Sequence, residues 1–253
     1  MAEMFFNVKI EFDVEEVDSI IRRTINNEGK GYLCAIESNN VTIANKDEGF
    51  LKIVNDSLVN ICDGSVLAKV LGIIHGRRFK SYRGDDLLNK YVRSDDFSHF
   101  FLGNTDEILD GLKNNLGKIN NSILKMPFES LPFRKVEEFD YKGIADMINA
   151  ARPDIIWVSL GAPKQEIFMS MLLPYLDFGI MCGVGAAFNF NAGVGPVRRA
   201  PRLMRNFYLE WLYRAYEEPK KNIPRYLRFL SIFPKLLIDE IRKSKRKSLK
   251  HRS

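Results

Sequence analysis

Three stretches of the sequence set side chains able to do chemistry beside glycines. Asp63-Gly64 closes the apolar run LVNICDG at 58–64. A carboxylate at the end of a buried strand faces the ligand crevice, and glycine lets other backbone approach closely. There it could act as a general base, taking the proton from an attacking hydroxyl. Taken alone, capping of the next helix is the simpler reading. Gly161-Ala-Pro-Lys164-Gln165-Glu166 follows DIIWVSL. It offers a tight turn, a cation and two polar side chains at a helix start, where anions are favoured. Composition alone does not separate it from an ordinary strand-to-helix loop. Gly183-Val-Gly185-Ala-Ala-Phe188 is the third stretch, followed by Asn189, Asn191 and Gly193. Phe188 stands where a dinucleotide fingerprint has its third glycine, and no acidic residue ends a following strand, so an NAD site is not expected.

Other signatures are missing. The sequence has no GxxxxGK[ST] loop, no GxSxG elbow, no HExxH and no Asp-x-Asp pair suited to a metal-bound diphosphate. Bound phosphates would have to be neutralised by Arg and Lys. A supply exists late in the chain: Arg198, Arg199, Arg202, Arg205, Arg214 and Arg225, with Lys220 and Lys221. Bidentate arginines suit diphosphates, whereas the run past Lys243 reads as a solvated basic tail. Trp211 and the aromatic residues near it read as packing.

The elements that must position these groups follow from the apolar pattern. Buried-strand runs occur at 31–37, 58–64, 97–104, 154–161 and 178–185, with helical-period segments such as Val17–Glu28, Thr105–Asn115 and Lys142–Ala151 between several of them. Continuous apolar strands alternating with helices predict an α/β, Rossmann-like, mostly parallel sheet flanked by helices, with ligands beyond its carboxyl ends. After Pro196 the texture changes to aromatics, leucine and arginine, broken by Pro201, Pro219, Pro224 and Pro234. Two or three short basic amphipathic helices are expected there. The division predicted is a core over 1–195 and a basic helical C-terminal appendage over 196–253.

Charge follows the same division. The appendage holds 17 Lys and Arg against 5 Asp and Glu, a net of +12, while the whole 253-residue chain is +6, leaving −6 for the rest. The partner of such an appendage is anionic, either a membrane surface or nucleic acid. No apolar stretch reaches the length of a spanning helix, and the acidic N-terminus does not read as a signal peptide. Cys34, Cys62 and Cys182 sit in apolar runs and read as buried thiols, and the 3 histidines form no metal-spaced cluster with them. No cofactor or metal is expected.

Several motifs together resemble one family. They are ICDG at 61–64, RGDD at 83–86, FFLGN at 100–104, PDIIWVSLGAPKQE at 153–166, GVGAAFNFNAG at 183–193 and RRAPRLMRNFYLEWLYRAYEEP at 198–219. Their content and order resemble the WecG/TagA/CpsF family, glycosyltransferase family 26, over roughly Tyr32 to Leu230. The resemblance implies a metal-independent, inverting transfer of a sugar, by default N-acetylmannosamine, from a UDP-sugar to an undecaprenyl-diphosphate-linked sugar. It implies a peripheral enzyme at the cytoplasmic face of the bacterial inner membrane, serving teichoic acid, common antigen or capsule synthesis. Asp63 matches the family's proposed base, which reverses the capping reading. Gln165 matches a donor-site Gln, and Asn39 the Asn of an early Thr-x-Asn motif. The donor set implied is Asn39, Gly84, Gly161, Lys164, Gln165, Glu166 and Gly185. The appendage is implied to close over the site, with Arg214, Lys221 and Arg225 on the diphosphate or the acceptor lipid. Two departures stand out. Glu37 aligns with the family's neutral threonine, and Lys220 and Lys221 stand where Arg is frequent. The alternatives are the same chemistry with another UDP-hexose, or a non-catalytic membrane- or nucleic-acid-binding protein. On the favoured reading there is no nucleic acid partner, and the oligomeric state stays open, a homo-oligomer included.

Overall fold

The computed structural model describes residues 2–195, 199–201, 203–204, 207 and 209–250. Arg198, Arg202, Arg205 and Arg252 therefore lie outside the described residues. The expected strands are β3 (Lys30–Ile36), β4 (Val59–Cys62), β5 (His99–Gly103), β7 (Ile155–Ser159) and β8 (Gly179–Gly183). With the two-residue β6 (Phe128–Glu129) they form one parallel six-stranded sheet in the order β4-β3-β8-β7-β5-β6. Every residue of β4, β5, β7 and β8 is buried. That explains why their sequences are nearly continuous apolar runs, with Asn60, His99 and Ser159 the polar exceptions: both faces are covered.

Alternate side chains of each strand feed two separate cores. Cys34, Ile36, Phe100 and Ile156 pack with α2 (Ser38–Ala44), α3 (Glu48–Asn55), α4 (Ser65–His75), α7 (Tyr141–Ala151) and α8 (Lys164–Leu172). Leu33, Phe101, Ile155 and Trp157 pack with α1 (Val14–Asn26), α5 (Gly84–Val92), α6 (Asp106–Ile119) and α9 (Ala187–Ala192). Cys34, Cys62 and Cys182 are free and buried.

An N-terminal hairpin was not legible in the sequence. β1 (Glu3–Phe5) and β2 (Val8–Ile10) pair antiparallel around Phe6 and Asn7, both at positive φ (48° and 67°). This is the twist a two-residue hairpin turn needs, reached here without glycine.

The C-terminal region also differs from the expectation. Beyond α10 (Glu210–Glu217) runs a single 32-residue helix, α11 (Pro219–Lys250), with Pro224 and Pro234 inside it. Each internal proline removes one i→i−4 bond, so packing must hold the helix together. It does so along one face. Phe229 and Phe233 lie against the core, Leu236 is 7% exposed and Glu240 only 1%. Glu240 Oε2 accepts the Phe6 N–H at 2.9 Å, and its Oε1 lies 3.0 Å from His75 Nε2. The expected solvated tail is helical through Lys250, and its first residues are tied down. Lys243 Nζ donates to Asn7 Oδ1 (2.9 Å) and Ser244 Oγ to the Ile74 carbonyl (3.2 Å). Among the described residues no helix is long and apolar enough to cross a membrane.

Glu240 thus joins α11, α4 and the hairpin, and removing it leaves a buried N–H without its acceptor. Glu240→Ala is expected to lower the unfolding free energy by about 2–4 kcal/mol. Urea denaturation measures the loss, and Glu240→Gln, which keeps an acceptor for Phe6, should recover part of it.

Candidate active site

The carboxyl ends of the strands open into a cavity of about 420 Å³. Residues just past them, Glu37, Asp63, Asn104, Gly161 and Gly185, all reach its wall. A second cavity of about 350 Å³ lies beneath α10 and α11, with Val66, Leu67, Val70, Trp211, Phe229, Leu230 and Phe233 as its apolar walls. Glu37, Asp63, Arg83, Glu210 and Arg214 line both, so the polar cavity and the apolar one meet on this cluster.

Asp63 sits at that junction. The N-cap of α4 is Gly64, which makes no side-chain bond, so Asp63 does not cap the helix that follows it. Its Oδ1 accepts the N–H of Gly84, the first residue of α5, at 2.8 Å. Burial is the main cause that raises its pKa, to about 6. The Gly84 N–H and Arg214 oppose the rise, and the charges of Glu37 and Glu210 add to it. A carboxylate tuned close to neutrality, within reach of two binding spaces, is suited to accept a proton from a bound hydroxyl.

The cations around it are held in place by carboxylates. Arg214 Nη2 lies 3.1 Å from Glu210 Oε1, and Arg83 Nη1 3.7 Å from Glu210 Oε2. Arg83 Nε also pairs with Asp86 at 2.9 Å. Burial works against the Arg214 cation, but Glu37, Glu210 and Asp63 hold its proton more firmly than usual. Its guanidinium lies 5.5 Å from the Phe190 ring centroid. Arg199 pairs with Asp85 and, at 3.7 Å, with Asp86. Lys221 pairs with Glu218 at 2.9 Å. Arg225 and Lys164 instead donate to backbone carbonyls, Arg225 to Ala162 at 3.3 Å and Lys164 to Arg134. These two cations flank the Gly161 turn, where φ is +74° and a side chain at Gly161 would meet nothing within 4 Å.

The first turn of α8 forms the wall behind them. Gln165 is 3% exposed, its Nε2 donates to Glu166 Oε1 (3.2 Å), and its own Oε1 has no partner among the described residues. Glu166 is fully buried, and burial raises its pKa to about 7. It also accepts from Asn40 Nδ2 at 3.0 Å. The Asn40 Oδ1 in turn accepts the Glu37 N–H at 3.2 Å, which fixes the start of α2. On the far side Asn104 donates to Ser159 Oγ and Asn189 Oδ1, both at 3.1 Å.

A model of the glycosyl transferase WecG/TagA/CpsF family matches residues 4–247. The chain belongs to that family. Similar to it is an N-acetylglucosaminyldiphosphoundecaprenol N-acetyl-beta-D-mannosaminyltransferase of Staphylococcus aureus (strain MRSA252), 25% identical over 238 residues, which are 90% of this chain and 85% of that one. A protein of the same name from strain NCTC 8325 is 24% identical over the same coverage. A third, from Bacillus spizizenii, is 36% identical over 93 residues, only 35% of each chain.

As a WecG/TagA/CpsF protein, the chain brings most of the sequence-read residues to one place. Asp63, Gly161, Lys164, Gln165, Gly185, Arg214, Lys221 and Arg225 all line the polar cavity. Three do not. Asn39 is buried on α2 away from both cavities, because the residue three past the helix cap, Asn40, is the one that turns back toward Glu37. Gly84 acts through its N–H on Asp63, and Glu166 lies behind Gln165. Trp211, read as packing, is 46% exposed and lines the apolar cavity with its ring against Tyr226. Sequence reasoning missed Arg83 and Glu210. The spacing of Glu210 and Arg214, one helical turn apart, was the available signal for the latter. Among the described residues no group of three His, Cys, Asp or Glu is arranged to hold a metal ion.

Because burial favours the neutral form of Asp63, ionising it destabilises the fold. That cost is absent below the unfolded pKa near 4, grows up to about pH 6 and is complete above it. Asp63→Asn keeps an Oδ1 for Gly84 and is expected to raise the melting temperature at pH 8 by about 2–8 °C, with little change at pH 4. Differential scanning calorimetry at the two pH values checks the sign.

Proposed function

We propose that this protein transfers N-acetylmannosamine from a UDP-sugar to undecaprenyl-diphosphate-linked N-acetylglucosamine, with inversion and without a metal ion. The observation that carries this reading is Asp63 at the meeting point of a polar and an apolar cavity. In the polar cavity Lys164 and Arg225, which have no carboxylate partner among the described residues, face the diphosphate, and the Gln165 Oε1 awaits a donor hydroxyl. The apolar cavity takes the first part of the acceptor lipid. The names of the Staphylococcus relatives describe the same donor sugar and acceptor.

The acceptor hydroxyl loses its proton to Asp63 as its oxygen attacks the anomeric carbon. The bond from that carbon to the UDP oxygen breaks on the opposite face. Negative charge then builds on the leaving diphosphate, where Lys164, Arg214 and Arg225 stabilise it without having to reorganise. Residues 1–195 supply the base and the donor site, and residues 196–253 close over them and hold the protein on the cytoplasmic face of the inner membrane. Supporting that role, Leu212, Tyr216, Leu227 and Ile238 are exposed on α10 and α11 among Lys220, Arg228 and Lys235. Each Lys or Arg near an anionic surface contributes about 1 kcal/mol.

UDP release with UDP-N-acetylmannosamine and the lipid-linked acceptor in detergent tests the reaction. Release is expected only with the acceptor, unchanged by a chelator, and reduced at least about 100-fold in Asp63→Asn. Acceptor-independent release, or a near-normal rate in Asp63→Asn, contradicts it. Flotation with vesicles tests the surface. Binding to anionic but not neutral vesicles is expected, falling when Leu212 and Leu227 are both changed to Ser.

A further inference from the structure

The junction between the cavities carries more negative charge than its arginines neutralise. Glu37, Asp63 and Glu210 face Arg83 and Arg214 there. Both arginines are already engaged by other carboxylates: Arg214 bonds Glu210, and Arg83 bonds Asp86 while reaching Glu210, and among the described residues neither is paired with Glu37. Arg199, further along the wall, is held by Asp85 and Asp86. Glu37 and Asn40 form a capping box, the Asn40 side chain accepting the Glu37 N–H and the Glu37 carboxylate turned toward the Asn40 N–H, and that carboxylate acts on the site through its field. That field raises Asp63, Glu166 and Tyr226 and steadies the Arg214 cation. Of the remaining cations of the wall, Lys221 is paired with Glu218, while Lys164 and Arg225 stand beside the Gly161 turn and suit a diphosphate. The site is therefore polarised, with a cationic end for the nucleotide and an anionic end for the sugar.

We infer that Glu37 is a specificity-determining residue that accepts hydrogen bonds from the hydroxyls of an uncharged sugar ring and rejects donors whose sugar bears a carboxylate. The inference rests on the nucleotide-sugar reading proposed above. Ionised carboxylates accept several hydrogen bonds and donate none, so hydroxyl groups satisfy Glu37 and a second carboxylate cannot. Like charges brought together at a desolvated site are strongly disfavoured, and this is how a binding site excludes a competitor of the same shape.

The test is calorimetric binding of three ligands to the full chain: UDP, UDP-N-acetylmannosamine and its C6-oxidised counterpart, UDP-N-acetylmannosaminuronic acid. The two sugars differ only in a CH₂OH against a carboxylate. The wild type is expected to bind the uronic form at least about tenfold more weakly than the neutral one. In Glu37→Gln, which keeps the shape, and Glu37→Thr, that ratio should fall to about threefold or less, through tighter binding of the uronic form. UDP affinity in the same samples reports an intact site. UDP binding with equal affinity for both sugars, or a ratio unchanged in both variants, overturns the inference and leaves the proposed reaction standing. A wild type that does not bind UDP overturns both.

Discussion

The structure turns on keeping one carboxylate ionisable in a place that disfavours its charge. Asp63 ends β4, where a parallel sheet opens its crevice, and burial there pushes its pKa up. The backbone N–H of Gly84 holds it. That bond has structural consequences: it fixes the start of α5, and Arg83, the N-cap just before, is thereby aimed at the same point. Glu210 then reaches Arg83 from α10 while holding Arg214 one turn along its own helix. The C-terminal helices are thus tied to the core at the proposed base by one charge cluster, and far from it by Glu240 and Leu236.

Charge placement also gives the site a direction. Carboxylates gather where the two cavities meet, while Lys164 and Arg225 sit at the turn after β7. On the proposed reading, Lys164 and Arg225, together with Arg214 at the junction, stabilise the leaving diphosphate, and Asp63 takes the proton. Buried behind the cavity wall, Glu166 links Gln165 to Asn40, so the first turn of α8 and the start of α2 are bonded to each other.

Much of this was legible in the sequence, for physical reasons. Strands buried on both faces are mostly apolar, so β3, β4, β5, β7 and β8 were plain, and the residues just beyond them had to face the crevice. The hairpin was not, because its strands are three residues each and its turn uses Phe6 and Asn7 in place of glycine. Prolines 224 and 234 suggested breaks, yet tertiary packing of Phe233, Leu236 and Glu240 carries α11 through them. Asn39 and Asn40 are neighbours whose side chains fall on different faces of α2, and only the helix start decides which one reaches the site. The Arg83–Glu210 contact joins segments far apart in the chain, and local spacing holds no trace of it.

The most direct measurement compares the pKa of Asp63, followed by carbon NMR of labelled aspartate, with the pH dependence of kcat/KM. The account predicts that both fall near 6, with the rate rising as Asp63 ionises, and that Glu37→Gln shifts both downward together. A rate profile flat through pH 6, or an Asp63 that titrates in the ordinary carboxylate range, would contradict it.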